Sequence, residues 1–132
     1  MGVSMTYSEC TKGLRAVRKH VPHVLPIMGV WLDMIASGIK REEYRADKPY
    51  WQTRILGTWR NEGPLGTYLL RAGYGRDAKA LLIDAMPIRR KGGLPEWGAE
   101  KSETYITLVI KKAWTITEDG TVTVLWEEAQ DV

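Results

Sequence analysis

Lys40, Glu43 and Arg45 set an ammonium, a carboxylate and a guanidinium close together in the stretch Ser37-Gly38-Ile39-Lys40-Arg41-Glu42-Glu43-Tyr44-Arg45. Two kinds of chemistry are open to such a triplet. The carboxylate can fix the cations or accept a hydrogen bond from a base edge, while the cations hold an anion or polarise a carbonyl. In a hydrolase, Glu43 would instead draw a proton from water and Lys40 would face the oxyanion. Side chains alternate across a strand, so Glu43 and Arg45 share a face with Arg41, and Lys40 at the junction with the preceding element can turn to the same side. A solvated edge strand guarded by charge uses the same residue types. Composition does not separate these readings.

The elements that must hold these residues follow from the apolar pattern. Residues 24–30 read as a short apolar strand. Residues 31–37 read as a short helix with Trp31, Met34 and Ile35 on one face, and Gly38 takes the C′ position beyond it. Residues 40–45 form the charged strand. Asp47 is the expected N-cap of a second helix, with Pro49 in its first turn, Trp51 and Ile55 on its buried side and Gly57 at its end. The β-rich runs 67–72, 78–88, 104–117 and 121–126 predict four more strands, with Asp119-Gly120 as a hairpin turn. Residues 89–103, carrying Gly92, Gly93, Pro95 and Gly98, read as a loop. The order has two or three short helices and none between the later strands. It predicts an α+β domain whose sheet closes into a small β-barrel, not a doubly wound parallel fold.

A chain of 132 residues holds one domain and one core. The domain is expected over residues 24–132, ending in the β-hairpin, with a basic N-terminal extension over residues 1–23. In that extension Lys12, Arg15, Arg18, Lys19 and His20 surround Leu14, Val17 and Val21 at helical spacing, a candidate surface for a protein partner. A hydrophobic share of 44% with 27% charged residues excludes an intrinsically disordered chain. The net charge of +3 permits an anionic partner without demanding one. Phe is absent, while 6 Trp and 6 Tyr supply rings with polar edges that suit half-wet sites and base stacking as well as a core. The single cysteine, Cys10, excludes an intramolecular disulfide. No signal peptide is visible, and the most apolar stretch, 24–39, is interrupted by Pro26 and Asp33. A cytoplasmic protein without membrane contact is expected. His20 and His23 have no third ligand near them in sequence, so neither a metal nor an organic cofactor is expected.

Gly38-x-Lys40-x-x-Glu43-x-Arg45 matches the G-x-K-x-x-E-x-R signature of the ASCH domain family, a branch of the PUA-like superfamily. The flanking order resembles that family too: an apolar strand, a helix of the form W-L-D-M-I-x-S-G, then the charged strand. The segment EYRADKPYWQTRI (Glu43 to Ile55), with its P-Y-W motif, resembles the branch common in phages and prophages, as do Arg71-Ala72-Gly73-Tyr74-Gly75 and Trp97-Gly98. The resemblance covers roughly residues 25–110. It implies a small PUA-like barrel flanked by helices, with the signature residues lining a cleft. PUA-like domains mostly bind RNA. One branch of small ASCH proteins hydrolyses N4-acetylcytidine to cytidine and acetate, and another is linked to ribonuclease activity. Fold alone does not choose among these.

For a module binding RNA, a nucleotide or a nucleoside, Lys40, Arg41, Arg45, Lys48 and Arg54 are the candidate phosphate or base contacts. Tyr44, Tyr50 and Tyr74 are the candidate stacking rings. Gly73 and Gly75 beside Tyr74 allow close backbone approach or form a plain turn. Arg89, Arg90 and Lys91 read as a solvated basic run that can touch phosphates. The alternative is a small amidohydrolase acting on an acylated nucleoside, with Lys40 and Glu43 catalytic. The resemblance implies a Lys, a Thr three residues later and a downstream Glu for that chemistry. Glu43 stands in the Thr position, and Glu96 and Glu100 are candidates for the downstream carboxylate. A non-enzymatic interaction protein of phage origin is the third reading.

Overall fold

The computed structural model describes residues 23–57, 65–73, 78–116 and 121–129. The extension over residues 1–22, with Cys10 and His20, lies outside the described residues, as do Tyr74, Gly75 and the Asp119-Gly120 turn.

Six strands form one sheet. They are β1 (His23–Pro26), β2 (Glu42–Ala46), β3 (Gly66–Ala72), β4 (Lys79–Lys91), β5 (Thr104–Ile116) and β6 (Val122–Glu127). The spatial order is β1-β3-β4-β5-β2, and β6 pairs with β5 as well. β2 takes the first half of β5, Ala46 opposite Tyr105 to Glu42 opposite Val109, and β6 takes the second half. Only β1 and β3 run parallel; the other pairs are antiparallel. β1 and β2, the two ends of the path, do not pair, so the α+β class is realised as an open sheet among the described residues.

Helix α1 (Gly29–Ala36) packs on β3, β4 and β5. A short helix α2 (Pro49–Trp51) runs straight into a π-helical turn, Gln52–Leu56. Leu32 and Ile35 of α1 and Ile55 and Leu56 of that turn close the main core over Leu25, Tyr68, Leu70, Ile83, Ile106, Leu108 and Ala113. No helix among the described residues is long and apolar enough to cross a membrane.

Two register shifts keep this core continuous. Asp84 pairs with Lys112 but Ala85 pairs with Ile110, so β5 skips Lys111. The core-facing side of β5 thereby passes from Ile106, Leu108 and Ile110 to Ala113. On β6 the ladder skips Leu125, which turns Trp126 onto the core face although Val124 points away from it. An extra residue in one strand has this effect because side chains alternate with period two.

The structure revises the expected bounds. β1 stops at Pro26 and α1 begins at Gly29, earlier than the apolar run implies, with Leu32 its deepest contact beside Ile35. β4 runs to Lys91, so Arg89 and Arg90 are strand residues, not loop. Pro87 sits inside β4, which a fully paired strand would not tolerate. It is accommodated because β3 pairs with β4 only as far as Ala85. Lys48, not Asp47, is the N-cap of α2, and it makes no side-chain cap bond.

Candidate functional site

Gly38 sets the geometry of the charged strand. At φ +82°, in the left-handed region where a side chain is strained, it ends α1 in the predicted C′ position. Its N–H donates to Ile35 O, and the N–H groups of Ile39 and Lys40 both donate to Met34 O, all at 3.0 Å. This reversal sends Lys40 inward. Arg41 goes the other way: its Nε donates to Gly38 O at 2.9 Å and its guanidinium lies 4.0 Å from the Trp126 ring. Arg41 O accepts from Ile110 N, and Ile110 lies on the same core-facing side as Leu108 and Ile106, the partners of Glu43 and Arg45, so Arg41 keeps their face but is turned onto Gly38 and Trp126 instead of the Glu43 carboxylate.

Lys40 is wholly buried. Its ammonium has three donors and three acceptors: Glu42 O at 2.5 Å, Trp97 O at 3.0 Å and Glu43 Oε1 at 3.1 Å. The first of these explains the placement. β2 is at the sheet edge, and Arg41 O accepts from Ile110 across the ladder. The next carbonyl, Glu42 O, therefore points outward, and Lys40 caps it. The ammonium also lies 5.2 Å from the Trp31 ring and 5.0 Å from the Tyr44 ring. Burial pushes its pKa below the usual lysine value, and the charge and hydrogen bond of Glu43 oppose this without cancelling it.

Glu43 bridges two cations, with Oε1 on Lys40 and Oε2 accepting from Arg45 Nη2 at 2.9 Å. Arg45 lies 5.0 Å from the ring of Trp51, on α2. Its Nε is buried and has no hydrogen-bond acceptor. Trp51 meets Tyr50 edge-on at 4.8 Å, and the Arg54 guanidinium lies 4.4 Å from the Tyr50 ring. A chain of cation and ring contacts thus runs from the buried pair to the surface, where Tyr50 is 57% exposed.

On the opposite face of β2, a second network fastens the segment 92–99. Glu42 Oε1 accepts from Tyr44 OH at 2.7 Å and from Arg90 Nη2 at 2.5 Å. Desolvation lifts the Glu42 pKa, but the Arg90 and Tyr44 hydrogen bonds outweigh it and hold the carboxyl below its usual value. Desolvation is also the main reason that the Tyr44 pKa is pushed up to about 12, the hydrogen bond from Leu94 N opposing it. That N–H donates to Tyr44 OH at 3.0 Å. Gly93 approaches so closely that a Cβ there would stand 2.6 Å from Tyr44 Cε1. Asp47 Oδ2 accepts from Arg89 and Asp47 Oδ1 from Gln52, which fixes the entry to α2. Arg89 and Arg90 are thus ion-paired, not a solvated run.

The structure brings Lys40, Glu43, Arg45, Tyr44 and Arg54 into one neighbourhood along β2 and α2, in different circumstances. Lys40 is fully occupied by fixed acceptors. Tyr44 lies beneath the 92–99 segment. Arg45 keeps one donor unused, and Arg54 stands at the surface. Lys48, Glu96 and Glu100 are exposed. Sequence reasoning missed Trp51 as the neighbour of Arg45, although the P-Y-W motif carries the signal. The Trp97 carbonyl carried no signal, since a backbone acceptor has no residue type. Among the described residues, no group of three or more His, Cys, Asp or Glu side chains could hold a metal ion. Comparison with protein families, curated proteins and solved structures gives no match to the chain.

Proposed function

We propose that the chain is an ASCH-like domain that binds RNA or a nucleotide beside Glu43 and Arg45. The observation that carries the reading is Arg45. Its guanidinium is held by Glu43 and Trp51, and its buried Nε is left with no acceptor. An unused buried donor costs about 1–3 kcal/mol, and a ligand oxygen or ring nitrogen would recover that cost. Lys40 and Glu43 would preorganise the guanidinium, and a carbonyl, phosphate or base edge would take the remaining donor. The small PUA-like barrel belongs to the same reading, with the open six-stranded sheet as its described part.

The hydrolase alternative requires Lys40 to face an oxyanion. All three of its donors already point at protein oxygens, so the geometry favours binding. The test is a thermal-shift screen of nucleosides, nucleotides and short single-stranded RNAs, run beside Arg45→Gln. A ligand that binds only the folded state raises the melting temperature by mass action. A shift in the wild type that Arg45→Gln abolishes supports the reading; no shift with any compound contradicts it.

A further inference from the structure

The chain of ring and cation contacts does not end at Arg45. Trp51, Tyr50 and Arg54 continue it outward in contacts of 5.0, 4.8 and 4.4 Å, so Arg54 stands two rings beyond Arg45. Tyr50 is among the most exposed large hydrophobic side chains described, and the sequence gives it a tethered cation in place of a cover. Lys48 is exposed on the same turn. Asp47, adjacent to Lys48 in sequence, is held by Arg89 and Gln52. Among the described residues, neither Lys48 nor Arg54 belongs to an ion pair. The α2 turn therefore presents one open ring with a guanidinium in contact and a second unpaired cation beside it.

Bases stack on aromatic faces and on guanidinium planes, while cations alongside neutralise phosphates. Resting on the reading of Arg45 above, we infer that the ligand is single-stranded RNA at least two nucleotides long. One base edge meets Arg45, and a neighbouring base stacks on the Tyr50–Arg54 pair with its phosphate near Lys48. A mononucleotide fills only one of these two places. A duplex keeps its bases stacked on one another, so it has no free face to offer Tyr50.

The experiment is an anisotropy titration with a labelled single-stranded RNA of about eight nucleotides, within the usual range of single-strand site sizes. Its duplex and a mononucleotide are added as competitors. Tyr50→Ala, Arg54→Ala and Lys48→Ala are compared with the wild type; all three side chains are exposed or half-exposed, so the fold is expected to persist. Expected are weak competition by duplex and mononucleotide and a roughly tenfold loss of single-strand affinity in Tyr50→Ala. Tyr50→Ala should lower the mononucleotide affinity by less than it lowers the single-strand affinity. Lys48→Ala or Arg54→Ala should lower the salt slope by roughly 0.7 for each phosphate that the protein no longer neutralises. Wild-type affinity in Tyr50→Ala, or a duplex that competes as well as the single strand, overturns this inference and leaves the Arg45 reading standing. No binding of single strand or mononucleotide to the wild type overturns both.

Discussion

Lys40 Nζ lies 3.1 Å from Glu43 Oε1, with the lysine wholly buried and the glutamate 6% exposed. Two charges taken out of water stay together only when their remaining hydrogen-bonding groups are met. Here they are met by Glu42 O, Trp97 O and Arg45. The pair joins the β2 edge, the 92–99 segment and, through Arg45 and Trp51, helix α2.

Removing the ammonium tests that function. Lys40→Ala leaves two carbonyls and a carboxylate oxygen without their donor, and should cost about 3–5 kcal/mol of stability. Lys40→Met keeps the apolar stem between Trp31 and Tyr44 and should cost less than Lys40→Ala. Urea unfolding measures both. A Lys40→Ala protein within about 0.5 kcal/mol of the wild type, the range of an ordinary surface change, would show that the pair holds nothing in place.

The second network makes stability depend on pH at both ends. The Glu42 carboxyl is below its usual 4.5, so its contribution is present above that value and lost as pH falls through the lower folded value. Arg90→Ala should weaken this acid dependence. Tyr44 titrates oppositely. Its hydroxyl loses its proton at 10.0 when unfolded and at about 12 when folded, so stability falls as pH rises between them. Tyr44→Phe should flatten that alkaline slope. Denaturant midpoints across both windows decide it, and unchanged slopes in the two variants refute the assignment.

Gly93 and Gly29 make a matched steric pair. A Cβ at Gly93 would lie 2.6 Å from Tyr44 Cε1 and 2.7 Å from Ala99 Cβ, whereas one at Gly29 meets nothing within 4 Å. Gly93→Ala should destabilise by about 1–3 kcal/mol, as overpacking does, and should speed amide exchange over residues 94–99. Gly29→Ala should be neutral or stabilising by up to about 1 kcal/mol, since alanine is the better helix former. Equal stabilities for the two variants would show that the 92–99 segment does not press on Tyr44.

The parts legible in the sequence were those written in local spacing. Gly38 ends α1 because a residue at positive φ is needed there, and the strand that follows carries Glu43 and Arg45 on one face by alternation alone. Less was legible wherever a distant chain segment decides the outcome. Lys40 is satisfied by a carbonyl 57 residues away. Arg89 and Arg90 looked like solvated loop because Gly92 and Gly93 follow them, yet β5 extends the ladder and turns them onto Asp47 and Glu42. Arg41 keeps the expected face, yet Gly38 O and the Trp126 ring hold its guanidinium, and Trp126 lies far along the chain, so spacing alone could not show it.

The most direct test of the account follows the Arg45 Nε–H resonance by ¹⁵N NMR while a single-stranded RNA or a mononucleotide is titrated into the protein. A saturable shift at Arg45 Nε, among the largest in the spectrum, is expected, with slowed exchange of that proton as it gains an acceptor. Saturable binding that leaves Arg45 Nε unmoved would contradict it, as would no binding at all.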